Sequence, residues 1–174
     1  RTVAVDGVEV SSIWTCPDDF RAGQDPGLIL AHGAGNDMNH PFLALVAERL
    51  AEKGIMVVRF NFPYKEQGRK APDRAPMLER TWRAVIAMVR ADAELAPGRL
   101  FFGGKSMGGR MASHVVAAGE ACDGLVFLGY PLHPARKPEK LRSEHLPRIV
   151  QPMLFIEGTR DPLCNLELLK AVLA

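Results

Sequence analysis

A serine stands between glycines in the segment Gly104-Lys105-Ser106-Met107-Gly108, a G-x-S-x-G pattern. An apolar run of strand length, residues 100–103, comes directly before it, and a helical pattern over residues 107–119 follows. Such a sharp strand-to-helix turn strains the serine backbone and lifts the hydroxyl above the sheet. We predict that Ser106 is a nucleophile and that the Met107 N–H, at the positive end of the helix, is one donor to an oxyanion. The alternative is a glycine-rich turn that carries an incidental serine.

The same residues do not form a phosphate-binding loop. That motif needs a glycine five positions before the glycine that precedes the lysine, and Arg99 occupies this position. Residues 100–102 also have the apolar pattern of a strand interior, so they cannot wrap around phosphates.

A second glycine-rich segment, His32-Gly33-Ala34-Gly35, follows the apolar run at residues 28–31. Loops of this type supply the other N–H donor to an oxyanion, and Ala34 is the candidate. The alternative is a loop that serves only a tight turn. His32 is expected to orient the loop rather than to transfer protons.

An attacking serine needs a base, and the base needs an acid that fixes its tautomer, in the chain order Ser, Asp, His for this arrangement. Asp161 follows an apolar strand pattern that ends at Glu157, so it is the candidate acid; the alternative is a helix N-cap before Pro162. All five histidines precede Asp161: His32, His40, His114, His133 and His145. We expect His114 to pack or to face solvent, while His133 and His145 lie in the loop before the strand of the acid.

The elements that must position these residues alternate between strand and helix. Short apolar runs predict strands at residues 28–32, 55–60, 100–103, 124–129 and 152–157. Helical spacing predicts helices at residues 41–53, 77–95 and 107–119 and a last one from about Pro162, with a polar loop at residues 64–76. Residues 2–15 read as a hairpin with Asp6-Gly7 as its turn. We predict one α/β domain over residues 1–174, with a mostly parallel sheet covered on both faces and ligands at the carboxyl ends of its strands.

Composition excludes several classes of protein. The 174 residues include 22 Lys plus Arg and 20 Asp plus Glu, and a net charge of +2 argues against nucleic acid as a partner. The apolar runs are far shorter than the roughly 18 residues that suggest a membrane span. The three cysteines lie far apart without metal-ligand spacing, which argues against a disulfide framework or a zinc site and favours a cytoplasmic location.

Together these motifs resemble the α/β-hydrolase superfamily, especially the small dienelactone-hydrolase-like group that includes the testis-expressed protein 30-like family. The matching segments are His32-Gly33-Ala34-Gly35, Arg59-Phe60-Asn61-Phe62-Pro63-Tyr64, Gly104-Lys105-Ser106-Met107-Gly108-Gly109-Arg110, Gly129-Tyr130-Pro131-Leu132-His133 and Gly158-Thr159-Arg160-Asp161. The resemblance implies an α/β-hydrolase fold with Ser106 as nucleophile, Asp161 as acid, and Ala34 and Met107 as oxyanion donors.

The resemblance also implies that the catalytic histidine follows one more helix and strand after the acid. We therefore expect the base beyond Ala174, which makes residues 1–174 a C-terminally incomplete domain.

The first functional hypothesis is a serine hydrolase that cleaves a small ester, thioester or related acyl bond through an acyl-enzyme, without a metal or an organic cofactor. Its partner is a small-molecule acyl substrate. Tyr64 and Arg69 are candidate substrate contacts, because the basic loop of Lys65, Arg69, Lys70 and Arg74 follows the strand that ends at Phe60 and would meet an anionic substrate. The alternative for this loop is a solvated surface. The second functional hypothesis is a catalytically silent interaction module with the same fold.

Overall fold

A seven-stranded sheet forms the centre of the computed structural model, which describes residues 1–173. Its strands are β1 (Thr2–Val5), β2 (Val8–Thr15), β3 (Pro26–Ala31), β4 (Met56–Phe60), β5 (Arg99–Lys105), β6 (Gly124–Leu128) and β7 (Met153–Ile156). Their order across the sheet is β1-β2-β4-β3-β5-β6-β7. Strands β4, β3, β5, β6 and β7 run parallel, while β1 and β2 are antiparallel to their neighbours. The predicted mostly parallel sheet is thereby confirmed.

Helices cover both faces of this sheet. They are α1 (Pro41–Ala51), α2 (Pro63–Glu66), α3 (Ala75–Arg90), α4 (Met107–Ala117) and α5 (Leu166–Leu173). A hydrophobic core lies on each face of the sheet, and alternate residues of β3 point into one or the other. Leu28 and Leu30 pack with α1 on one face, whereas Ile29 packs with α3 and α4 on the other. The predicted apolar stripe of α3 is buried against the second core: Leu78, Trp82, Val85, Ile86 and Val89. None of the helices within residues 1–173 has the length and apolar character to cross a lipid bilayer.

Two helix boundaries differ by more than two residues from the sequence-based expectation, because side chains decide them locally. Helix α3 ends at Arg90 instead of continuing to residue 95, and the Asp92 carboxylate accepts backbone N–H groups in the turn that follows. Helix α5 begins at Leu166 rather than near Pro162, since Asn165 Oδ1 accepts two N–H groups of its first turn. The predicted polar loop at residues 64–76 overlaps the short helix α2 at its start and the first residues of α3 at its end.

The N-terminal hairpin is confirmed. Strands β1 and β2 pair through the register Val5 to Val8, which leaves Asp6 and Gly7 as the two turn residues. Their φ values of 47° and 80° are both positive, as a two-residue turn that matches the twist of its strands requires.

The carboxyl ends of β3, β5, β6 and β7 meet at one edge of the sheet. Strand β5 lies between β3 and β6. After β3 the chain continues to β4 on one side of the β3–β5 pair, and after β5 it continues to β6 on the other side. In open α/β sheets the ligand site lies at this kind of reversal. The segments that follow these strands carry Gly33, Ser106, Gly129 and Asp161.

The residues on either side of the turn between β5 and α4 approach β3 so closely that Gly104 and Gly108 have no room for side chains. A Cβ atom on Gly108 would lie 2.5 Å from the His32 carbonyl oxygen and 2.6 Å from that of Ala31. A Cβ atom on Gly104 would lie 2.5 Å from the Gly109 nitrogen. All three obstacles are backbone atoms, so a rotamer change cannot relieve them. The glycines therefore fix the distance between the serine turn and the end of β3.

We expect Gly108→Ala to destabilise the protein although alanine is the better helix former. Overpacking of this kind costs about 1–3 kcal/mol, and roughly 2–4 °C of Tm is lost per kcal/mol in a chain of this size. Thermal unfolding measures the effect. Gly158→Ala is the matched control, because a Cβ atom there meets nothing within 4 Å. Equal melting temperatures for the two variants would contradict the close approach.

Candidate active site

Ser106 occupies the strained turn that joins β5 to α4. Its φ of 50° and ψ of −116° lie in a region that residues other than glycine rarely adopt. Two backbone hydrogen bonds hold it there, because the Ser106 N–H donates to the Leu128 carbonyl at 3.2 Å and its carbonyl accepts from Arg110 N at 3.1 Å. This is the turn geometry that the G-x-S-x-G pattern predicts.

One cavity brings Ser106 and Asp161 together at the carboxyl edge of the sheet. It has a volume of about 390 Å³. Its walls are formed by Phe42, Lys105, Ser106, Leu128, Gly129, Ile156, Gly158, Asp161 and Leu163. Sequence reasoning assigned no role to Lys105, whose only signal is its position directly before the serine.

The two predicted oxyanion donors lie in segments that adjoin the serine turn. Neither Ala34 N–H nor Met107 N–H donates to an acceptor within residues 1–173. Gly33 closely approaches the serine turn, since a Cβ atom on it would lie 3.6 Å from Ser106 Cβ. The loop then turns through a hydrogen bond from Asn36 N to the Gly33 carbonyl at 3.2 Å.

His32 holds the beginning of this loop, as the sequence predicts. Its Nδ1–H donates to the Gly33 carbonyl at 2.9 Å, and its Nε2 accepts from Phe62 N at 3.3 Å. These two bonds require the neutral tautomer with the proton on Nδ1. Burial lowers the pKa of His32 to about 4, so the ring stays neutral and connects the ends of β3 and β4.

Asp161 lies in a turn rather than at a helix terminus. Its Oδ1 accepts from Leu163 N at 2.8 Å. Since Asn165 caps α5, the alternative of Asp161 as its N-cap is wrong. The other oxygen, Oδ2, would lie 3.5 Å from a Cβ atom on Gly129, at the end of the neighbouring strand.

Glu157 connects the loops after β6 and β7, a role that sequence reasoning missed. Its Oε1 accepts from Tyr130 N, while its Oε2 is buried without a hydrogen-bond partner among the described residues. Burial raises the pKa of its carboxyl group, and the nearby charge of Asp161 acts in the same direction. A polar residue directly after an apolar strand is the only sequence signal for it.

No histidine within residues 1–173 lines the cavity that holds Ser106. The His133 ring bonds the Pro134 carbonyl and accepts from Asn165 N, each at 3.0 Å. His40 Nδ1 accepts from Phe42 N at the start of α1. In this part of the chain, no group of three or more His, Cys, Asp and Glu side chains is arranged to hold a metal ion.

The buried His145 and the partly buried His114 instead form a pair, with ring centroids 4.1 Å apart. The Ser113 hydroxyl donates to the Arg110 carbonyl and therefore accepts from Nε2 of His145 at 2.7 Å. His114 Nδ1 lies 3.5 Å from Glu79. Burial, followed by the charges of His114, Arg110 and Arg148, lowers the pKa of His145 to about 4.

Tyr64 and Arg69 lie outside the walls of the cavity that contains Ser106 and Asp161. Tyr64 is fully buried beside His32, with a ring-centroid distance of 5.9 Å, and burial raises its pKa to about 12. Arg69 forms an ion pair with Asp73, whose carboxylate also accepts from Tyr64 N. Their role as substrate contacts stays a prediction.

The sequence matches the family described as alpha/beta hydrolase domain over residues 24–173. Among solved structures, it is similar to an alpha-beta serine hydrolase homologue from Coxiella burnetii, with a TM-score of 0.77 at 19% identity over 99% of this chain and 79% of that one. It is also similar to an a/b serine hydrolase without a lid from Xanthomonas campestris, with a TM-score of 0.72 at 21% identity over 98% and 75% of the two chains. A third is a dienelactone hydrolase from Anabaena variabilis, with a TM-score of 0.72 at 16% identity over 99% and 91%.

We expect the protein to become less stable as the pH is lowered, partly through His145. Its folded-state pKa of about 4 lies below the ordinary histidine pKa of 6.5, so the unfolded state binds more protons between these two pH values. Stability is therefore lost as the pH falls from 6.5 towards 4. His145→Gln keeps an N–H donor for Ser113 but does not titrate, so it should lose less stability than the wild type between about pH 7 and about pH 5. Urea unfolding at both pH values measures the loss of unfolding free energy in each protein. An equal loss in the variant and the wild type would contradict the prediction.

Proposed function

The chain belongs to the alpha/beta hydrolase domain family, and from this premise we propose that it is a serine hydrolase that cleaves a small ester, thioester or related acyl bond. One observation carries the proposal. Ser106 stands at a strained strand-to-helix turn and faces the same cavity as Asp161. Strain at a residue other than glycine is typical of functional sites, where the fold enforces it.

The proposed reaction begins with the attack of Ser106 Oγ on the acyl carbonyl carbon. The Oγ–C bond forms while the base takes the hydroxyl proton, and the carbonyl oxygen becomes an oxyanion. The N–H groups of Ala34 and Met107 stabilise that oxyanion. The C–O or C–S bond of the substrate then breaks, and its leaving group takes the proton from the base. Water, deprotonated by the same base, then attacks the acyl carbon. The Oγ–C bond breaks, the base returns the proton to Ser106 Oγ, and the carboxylic acid leaves.

The base is proposed to be a histidine outside residues 1–174, oriented by Asp161. None of the five histidines within residues 1–173 lines the cavity that holds Ser106. His32 and His133 also use both ring nitrogens in hydrogen bonds. Asp161 uses Oδ1 for the Leu163 N–H and retains Oδ2 for an imidazole N–H.

Within the family, we propose the dienelactone-hydrolase-like group that includes the testis-expressed protein 30-like proteins. The support is the joint order of the five sequence motifs, from His32-Gly33-Ala34-Gly35 to Gly158-Thr159-Arg160-Asp161. The second candidate function, a catalytically silent interaction module, is favoured by the absence of a histidine from the cavity walls formed by residues 1–173.

We expect the natural protein to react with a fluorophosphonate probe and Ser106→Ala to lose this labelling while remaining folded. The alanine variant lacks the only atom proposed to attack phosphorus. Mass spectrometry locates the label and circular dichroism reports the fold. Ser113→Ala, on the helix that follows Ser106, is the matched control and should label normally. A wild type that does not label favours the silent module, and a label on another serine overturns the assignment of Ser106.

The chain of residues 1–174 should hydrolyse p-nitrophenyl acetate far more slowly than the natural protein that includes the proposed histidine. Loss of one member of such a triad lowers turnover on the order of 10⁴ to 10⁶. Turnover is compared per folded molecule, with light scattering to detect aggregation. If the two proteins turn over equally fast, and His133→Ala or His145→Ala then removes the activity, the base lies within residues 1–174.

A further inference from the structure

The loop of residues 33–38, which we call the oxyanion loop, is held at its beginning by the end of β4. His32 joins the Gly33 carbonyl to Phe62 N through its two ring nitrogens, at 2.9 and 3.3 Å. The Phe62 amide belongs to the segment Arg59-Phe60-Asn61-Phe62, which the proposed chemistry does not use.

The same segment holds the other end of the oxyanion loop. Met38 N–H donates to Asn61 Oδ1 at 2.9 Å, and the Arg59 guanidinium donates from Nη1 to the Met38 carbonyl at 2.8 Å. Both polar backbone groups of Met38 are therefore bonded to side chains that lie more than twenty positions away in the sequence. Because the two side chains come from one strand end, they fix Met38 relative to the sheet.

These two side chains are buried, although both are polar. Arg59 is 7% exposed and Asn61 is 9% exposed. Arg59 Nε is buried without an acceptor among the described residues, and burial lowers the pKa of the guanidinium. A buried N–H without a partner is unfavourable for folding. An apolar residue at position 59 would avoid that penalty but could not hold the Met38 carbonyl.

The position of this loop sets where the Ala34 N–H lies relative to the nucleophile. Gly33 is in near contact with the serine turn, where a Cβ atom on it would lie 3.3 Å from the Lys105 carbonyl oxygen. An N–H donor stabilises an oxyanion only within about 2.7–3.1 Å of that oxygen. A displacement of about 1 Å is enough to lose most of this effect.

We propose that Arg59 and Asn61 are positioning residues that hold the oxyanion loop through Met38, so that the Ala34 N–H meets the oxyanion formed at Ser106. The inference rests on the proposed serine hydrolase function. Arg59 and Asn61 take part in no step of the proposed reaction, and the proposal gives these two residues a role.

The test compares Asn61→Leu with Asn61→Asp in the natural protein. Leucine is similar in size but accepts no hydrogen bond, whereas aspartate retains an oxygen for the Met38 N–H. We expect Asn61→Leu to lower kcat for p-nitrophenyl acetate about 10- to 100-fold with little change in KM, since one oxyanion donor is worth about 10²–10³ in kcat. Asn61→Asp should restore most of kcat. Hydrogen exchange of the Met38 amide should accelerate only in the leucine variant.

Arg59→Met and Arg59→Lys make the same comparison for the hydrogen bond to the Met38 carbonyl. Methionine removes the donor, whereas lysine retains one. Thr81→Val is the matched control, because it also removes a buried hydrogen bond, from Thr81 Oγ1 to the Met77 carbonyl at 2.8 Å, but on α3. It should lower Tm and leave kcat per folded molecule unchanged. If Asn61→Leu behaves like this control in an active protein, the role of Asn61 is structural only and the inference is overturned. If the wild type neither turns over nor labels at Ser106, the proposed function itself fails, and the inference fails with it.

Discussion

The contact on which the rest of the site depends is the packing of the first turn of α4 against the end of β3, with no side chain between them. Gly108 approaches the carbonyls of Ala31 and His32 at a distance that excludes a Cβ atom. Because both partners are backbone, the separation between the serine turn and the oxyanion loop is a property of the main chain and not of adjustable rotamers. The sheet order, which places β5 directly beside β3, makes this contact available.

Elements governed by local patterns were predictable from the sequence. Strand β4 and the buried stripe of α3 follow from apolar periodicity, and the turn at Ser106 follows from glycines within a five-residue segment. The boundaries of α3 and α5 were not, because single side chains, Asp92 and Asn165, end or begin a helix by bonding a few N–H groups.

The long-range part of the site was also beyond sequence reasoning. Met38 meets Asn61, and Tyr130 meets Glu157, across more than twenty intervening positions. No spacing rule connects such pairs, since their proximity arises only when the strand order is known. The same limit explains the histidines. The sequence indicated that none stood after Asp161, but only the structure shows that His32 and His133 connect separate segments through their ring nitrogens.

The backbone conformation of Ser106 has a consequence for how this chain changes over generations. At φ 50° and ψ −116° a glycine would be relaxed, whereas serine carries strain of about 1–3 kcal/mol. Marginal stability leaves little tolerance for such a penalty, so mutational drift under selection for folding alone would favour glycine at position 106. A serine in this strained conformation is thus expected only where its hydroxyl has a function that offsets the loss of stability. It also makes Ser106→Gly a simple route to a more stable scaffold that lacks the hydroxyl.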